Sequence, residues 1–98
     1  MIRIELVANQ STQDVLIKNL ESLVPGFYYT LIPLVYGRGK KSYKLGTTTW
    51  PETNFLLLAY VDDSEEKNIE TIFSFVKEKY KDEGSKLFIM HDEKLKAM

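Results

Sequence analysis

Two apolar runs constrain this chain more than anything else in it: "YYTLIPLVY" from Tyr28 to Tyr36 and "FLLLAYV" from Phe55 to Val61. Both are rich in the branched and aromatic residues that favour strands, and neither alternates apolar with polar. A strand with one face in water shows that alternation, so these two ask for burial on both sides. Pro33 lies inside the first run, has no N–H to give to a ladder, and predicts an edge position or a bulge. With 98 residues the chain has room for one domain and one modest core, so residues 1–98 are read as a single unit.

The rest of the chain supplies two more strands and two helices. "IRIELVA" (Ile2 to Ala8) opens with alternation and reads as a strand. "NQSTQD" follows, with Ser11 expected as the helix cap and Asp14 in the first turn, where negative charge suits the helix dipole. Leu16, Leu20, Leu23 and Val24 form an apolar stripe at helical spacing, and Pro25–Gly26 stops it. "DDSEE" opens a second helix, with Asp63 or Ser64 as its expected cap and Glu65 and Glu66 in the first turn. Its stripe is Ile69, Ile72, Phe73, Val76 and Tyr80, and "KLFIM" after Gly84 is a short last strand. The charged residues 92–98 read as a loose tail.

The order β-α-β-β-α-β is the split βαβ arrangement of ferredoxin-like folds, an α+β class with both helices on one face of an antiparallel sheet. One chain then has helices for only one face, while its strands ask for cover on two. A large bare apolar patch is rare on proteins that work alone in water, so the expectation is an oligomer with sheets packed together.

Between the two apolar runs lies "GRGKKSYKLG", Gly37 to Gly46. No acidic residue occurs between Glu21 and Glu52, whereas Arg38, Lys40, Lys41 and Lys44 all fall there, so the interval carries +4 in a chain of net charge −1. Clustered positive charge raises the local concentration of anions. Glycines at 37, 39 and 46 can take positive φ and bring the backbone close to a ligand, and freed N–H groups beside Arg38 and Lys40 suit a phosphate. The span 37–54 is longer than an ordinary hairpin connection and is expected to be a flexible, functional loop. Trp50, at its returning end, anchors the loop or braces a ligand.

Several function classes are set aside by composition. A nucleic-acid binder is usually basic over a whole face, which this chain is not. No apolar stretch approaches the roughly 18 residues of a membrane helix, and the first ten residues lack the continuous apolar core of a signal peptide, so a cytoplasmic location is expected. There is no cysteine and one histidine, His91, which argues against a metal centre built from one chain. Asp62, Asp63, Glu65 and Glu66 form a carboxylate cluster that capping and the helix dipole account for, and Ser42 and Ser85 are read as having no nearby histidine to activate them. No enzymatic activity is expected.

The element order, the "YGRG" at the end of the second strand, the long loop and "YVDDSEEKNIETI" at the start of the second helix together resemble the nitrogen regulatory protein P-II superfamily. The resemblance implies a homotrimeric signalling protein with a loop leaving the second strand. It also implies a nucleotide cleft between neighbouring subunits at the base of that loop, taking ATP, ADP or a related nucleotide, and a partner protein regulated through loop 37–54. Gly37 and Arg38 match the family's Gly-Arg that meets nucleotide phosphates, with Gly39 and Lys40 beside them. Gly39 stands where classical members carry a glutamine for magnesium and 2-oxoglutarate. The family's T-G-x-x-G-D-G phosphate loop is matched only by "KDEGSK", through Gly84 and Lys86. The paired arginines beyond the last strand are replaced at best by Lys94 and Lys96, and Tyr43 does not map securely onto a modified tyrosine. The implied ligand-binding set is therefore Gly37, Arg38, Gly39, Lys40, Trp50, Gly84 and Lys86, with no metal site. The alternative is a trimer similar to the divalent-cation tolerance proteins, binding metal or serving structurally without a nucleotide site.

Overall fold

A computed structural model describes residues 1–38, 43–44 and 53–98 of the chain. It contains strand β1 (Ile2–Asn9), helix α1 (Gln13–Leu23), strands β2 (Tyr29–Val35), β3 (Gly37–Arg38), β4 (Tyr43–Lys44) and β5 (Asn54–Val61), helix α2 (Glu66–Lys79) and strand β6 (Ser85–His91). The four long strands form one antiparallel sheet in the order β2-β5-β1-β6, and β3 and β4 pair as a separate two-residue ribbon. This is the expected α+β, ferredoxin-like arrangement.

The sheet has one covered and one open face. Ile2, Ile4, Leu6 and Ala8 of β1 and Phe55, Leu57, Ala59 and Val61 of β5 alternate inward and are all buried. They share a core with Leu16, Leu20 and Val24 of the α1 stripe and Ile69, Ile72, Phe73 and Val76 of α2. Each of the larger of these side chains, from valine to phenylalanine, gains about 1.5–3 kcal/mol from full burial, so this layer supplies most of what opposes chain entropy. Leu23, expected in the stripe, is instead 54% exposed: α1 ends there, and the next residue, Val24, turns inward in its place. Asn68 of α2 donates to the Leu23 carbonyl at 2.8 Å, satisfying an acceptor at the end of α1 and tying the helices together.

Both helix starts differ from expectation in the same way. Each helix is entered through a 3-10 turn, Gln10–Thr12 before α1 and Asp63–Glu65 before α2, so the cap falls one or two residues earlier than expected. Asn9, not Ser11, caps the first: its Oδ1 accepts from the Ser11 N–H at 2.9 Å. Asp62, not Asp63 or Ser64, precedes the second, and hydrogen bonds from Ser64 hold its carboxyl below the ordinary carboxylate range. Asp14 and Glu66 do lie in the first turns of α1 and α2. Gly26 ends the α1 segment at φ +62°, the left-handed conformation that glycine adopts without strain.

Pro33 has both properties expected of it. Strand β2 is an edge strand, and its register against β5 shifts between Ile32, paired with Leu56, and Val35, paired with Asn54. Two residues, Pro33 and Leu34, thus oppose the single Phe55, a β-bulge that exempts the proline from the ladder.

The open face is the finding that sequence patterning pointed to. Strand pairing puts Arg3 beside Tyr60 and Met90, Glu5 beside Leu58 and Phe88, and Val7 beside Leu56 and Lys86. Among the described residues no helix covers these positions; Tyr60 is 49% and Phe88 53% exposed. Ile32 and Leu34 of β2 are exposed as well. Two charges within this apolar field pair with each other: Arg3 Nε lies 3.1 Å from Glu5 Oε2, and another Arg3 nitrogen donates to the Tyr60 hydroxyl at 2.9 Å.

Candidate functional site

Four chain segments meet at the end of the sheet from which the loop departs. Asn9 closes β1 opposite Asn54, the first residue of β5. The Asn9 N–H donates to the Gly84 carbonyl at 3.0 Å, which brings in the turn between α2 and β6. Gly37, at the outgoing stem of the loop, packs beside Asn54: a Cβ at Gly37 would lie 3.7 Å from Asn54 Nδ2, an ordinary contact. Glycine is therefore tolerated at 37 rather than required by crowding. Among described residues only Gly26 among the glycines has positive φ, so Gly37 does not use the left-handed conformation expected of it and pairs instead within β3. Gly84 has no atom within 4 Å of where its Cβ would be, so the space beside it is open.

The expected ligand residues divide into four groups. Gly37 and Gly84 come to the same end of the sheet, linked through Asn54 and Asn9. Lys86 is exposed on the open face opposite Val7, one residue pair in from that end. Arg38 is placed through its backbone, paired with Tyr43 in the ribbon. Gly39, Lys40 and Trp50 lie outside the described residues, as does most of the span 37–54.

Polar side chains that sequence reasoning did not single out line this end. Asn9 is buried, and its Nδ2 and the Oδ1 of Asn54 have no hydrogen-bond partner among the described residues. Such atoms are uncommon in a folded chain and mark a place where water or another molecule is expected. Gln10 contacts Thr53 through its backbone and reaches Pro33 with its side chain. The signal for Asn9 was present in "NQST", where any of several residues could cap. The signal for Gln10 was not, because its partners are 23 and 43 residues away. Ser85 faces the opposite way, into a cavity of about 10 Å³ walled by Thr12, Leu16, Phe73, Val76, Lys77 and Tyr80. That is room for one water at most.

A second polar groove, of about 360 Å³, lies between α2 and β6 and is lined by Glu66, Glu70, Ser74, Leu87, Ile89 and His91. His91 Nε2 is 2.5 Å from Glu66 Oε1. That hydrogen bond and the carboxylate's charge raise the histidine pKa above its ordinary value. Among the described residues no group of three histidine, cysteine, aspartate or glutamate side chains is arranged to hold a metal ion. No helix among them is long and apolar enough to cross a membrane.

No protein-family model and no curated protein matches the sequence. Solved structures do match in fold. A nitrogen regulatory PII-like protein, CPII from Thiomonas intermedia K12, bound to ADP, AMP and bicarbonate, superposes with a TM-score of 0.73 at 13% identity, over 91% of this chain and 82% of that one. A DUF3240 family protein from Shewanella baltica OS155 gives 0.63 at 14% identity, over 99% and 94%. A protein from Thermus thermophilus described as PII-like and signalling gives 0.58 at 20% identity, over 91% and 83%. At these identities the likeness is one of fold. The four-strand order, the two helices on one face and the stem at Gly37–Arg38 together give this chain the PII-like form of the ferredoxin-like fold.

Proposed function

We propose that the protein is a non-enzymatic regulator that assembles as a homotrimer through its open sheet face. In this reading it takes a small anionic ligand, an adenine nucleotide such as ADP, at the loop end of the sheet. The observation that carries the reading is the meeting of the Gly37–Arg38 stem with the Gly84 turn through Asn54 and Asn9. Backbone N–H groups and one arginine at such a junction suit phosphate oxygens. The open space beside Gly84 leaves room for a ligand there. CPII, of like fold, was crystallised with ADP, AMP and bicarbonate, which supports this class of ligand.

The assembly follows from the open face. Ile32, Leu56, Leu58, Phe88 and Met90 form an apolar field, and Arg3 and Glu5 satisfy one another inside it, so covering the field leaves neither of these two charges alone. Stacked sheets would bring the loop stem of one subunit to the boundary with the next. In the proposal Gly37, Arg38, Gly39 and Lys40 meet phosphate, Lys86 adds charge from the open face, and Trp50 braces the ligand. Ligand occupancy would then change how the loop presents itself to a partner protein.

A melting scan tests the ligand. Only a molecule that binds the native state raises the midpoint, so ADP, AMP, ATP and bicarbonate are compared with copper, zinc and other divalent ions. The expected result is stabilisation by a nucleotide that is lost in Arg38→Ala while the native mass stays that of three chains. Stabilisation by a metal ion alone would favour the divalent-cation reading, and equal nucleotide stabilisation of both proteins would remove the role of Arg38.

A further inference from the structure

The bulge in β2 creates a problem that a distant residue solves. Pro33 has no N–H, and the register shift beside it takes its carbonyl out of line with β5. That carbonyl receives a hydrogen bond from Gln10 Nε2, across from the far end of β1. At the other end of the same carboxamide, Gln10 Oε1 accepts from the hydroxyl of Thr53. The Gln10 backbone N–H also donates to the Thr53 carbonyl at 2.8 Å. One residue thus holds both stems of the segment between β2 and β5: the outgoing stem four residues before Gly37, and the returning stem one residue before Asn54.

The residue type matters. A glutamine side chain offers a donor and an acceptor on one planar group, and here each is used on a different stem. Glutamate would keep the acceptor toward Thr53 but put negative charge against the Pro33 carbonyl. Methionine would match the shape and offer neither. Gln10 is itself held, because the preceding Asn9 caps the 3-10 turn and bonds to Gly84. The end of β1 therefore joins three segments: outgoing stem, returning stem and the α2–β6 turn.

We propose that Gln10 is a positioning residue for the anion site: its carboxamide sets the spacing of the two loop stems, and with it the approach of Gly37 to the Gly84 turn. The inference rests on the ligand reading above. Binding at this end and stem spacing are then linked, and linkage is reciprocal, so a ligand that fits the clamped spacing also tightens the clamp.

The test uses the full chain with Gln10→Glu, Gln10→Met and Thr53→Val, and ADP as the probe. Three readouts are taken: ADP affinity by calorimetry, native mass, and the amide NMR shifts of Gly37, Leu34 and Asn54 without ligand. Gln10→Glu and Thr53→Val are each expected to weaken ADP about five-fold, the loss of roughly one neutral hydrogen bond, and Gln10→Met, which loses both side-chain bonds, to weaken it further, all with native mass unchanged. Gln10→Met combined with Thr53→Val should be no weaker than Gln10→Met alone, because both act through one network. A merely structural role would lower the ligand-free melting point and leave the affinity of the folded protein unchanged, and that result overturns the proposal. If the wild-type chain binds no ADP, the ligand reading fails instead. The shifts then decide the clamp separately: a Gly37 amide that moves in Gln10→Glu supports it, and one that does not move overturns it.

Discussion

The two faces of one sheet are made of nearly the same residue types and differ in what is mixed among them. On the covered face, β1 and β5 present Ile2, Ile4, Leu6, Phe55 and Leu57, with no charged group between them. On the open face the same strands present Val7, Leu56 and Leu58, interrupted by Arg3 and Glu5. Apolar content alone would call both of them core. The interruption separates them: a face that folds against its own helices needs no charge, whereas the face left open by the helices carries some. Those two charges are paired with each other within the strand.

The most demanding challenge to this contrast is to remove one large side chain from each face. Phe55 is fully buried between sheet and helices, and Phe55→Ala should cost about 3–5 kcal/mol in urea unfolding through lost transfer energy and a cavity. Phe88, 53% exposed, should cost far less in the unfolding of one chain when changed to alanine. Equal losses at the two positions would mean that the faces are energetically alike and that the open face is covered within the chain.

A charge on the open face probes assembly instead of folding. Leu58→Glu sets a second carboxylate beside Glu5 in the register. The expected result is a native mass that falls toward one chain by light scattering while the far-ultraviolet circular dichroism is retained, since like charges in a desolvated contact are strongly unfavourable. A wild-type mass of one chain would defeat the trimer proposal outright, whatever the variant does.

The contrast between faces was legible in "FLLLAYV" and "YYTLIPLVY" because apolar residues on both sides of a strand erase the period-2 pattern. The helices were legible for the complementary reason, a clean 3.6-residue stripe. Pro33 gave the edge and the bulge from its covalent chemistry alone. What escaped was any contact between residues far apart in sequence. Gln10 reads as an ordinary polar residue in a connection, and only the fold brings it to Pro33 and Thr53. The caps were missed by one or two residues because a 3-10 turn precedes each helix, and nothing in "NQST" or "DDSE" separates a helix starting at once from one starting three residues later. Gly37 was named for backbone freedom and Gly84 through the resemblance to a phosphate loop, and the two instead mark a junction, a property of the topology.

That cap displacement supplies a smaller test. Asn9→Ala should lower stability by about 1 kcal/mol, the usual worth of an N-cap, whereas Ser11→Ala should be nearly neutral. The difference bears on the loop end as well, because Asn9 also lies against Asn54. A larger loss at Ser11 would return the cap to where the local pattern first put it.

The smallest effect belongs to the edge of the covered side, where His91 of β6 meets Glu66 of α2. The hydrogen bond to Glu66, then its charge, with Asp63 and Glu70 adding in the same direction, raises the His91 pKa above the ordinary 6.5. The folded state thus favours the protonated ring. Its contribution is fully present below the unfolded value and is lost as pH rises through the higher folded value. Both side chains are solvent-accessible, so the gain is small. It is best read as the difference in melting point between wild type and Glu66→Gln, followed from about pH 5.5 to about pH 8.5. That difference should shrink as pH rises, on top of a constant offset, since Glu66 also sits in the first turn of α2 and favours the helix dipole as long as it is ionised. The slope reports the ion pair and the offset reports the helix, so a difference that stays flat across the range would leave Glu66 acting on the helix alone.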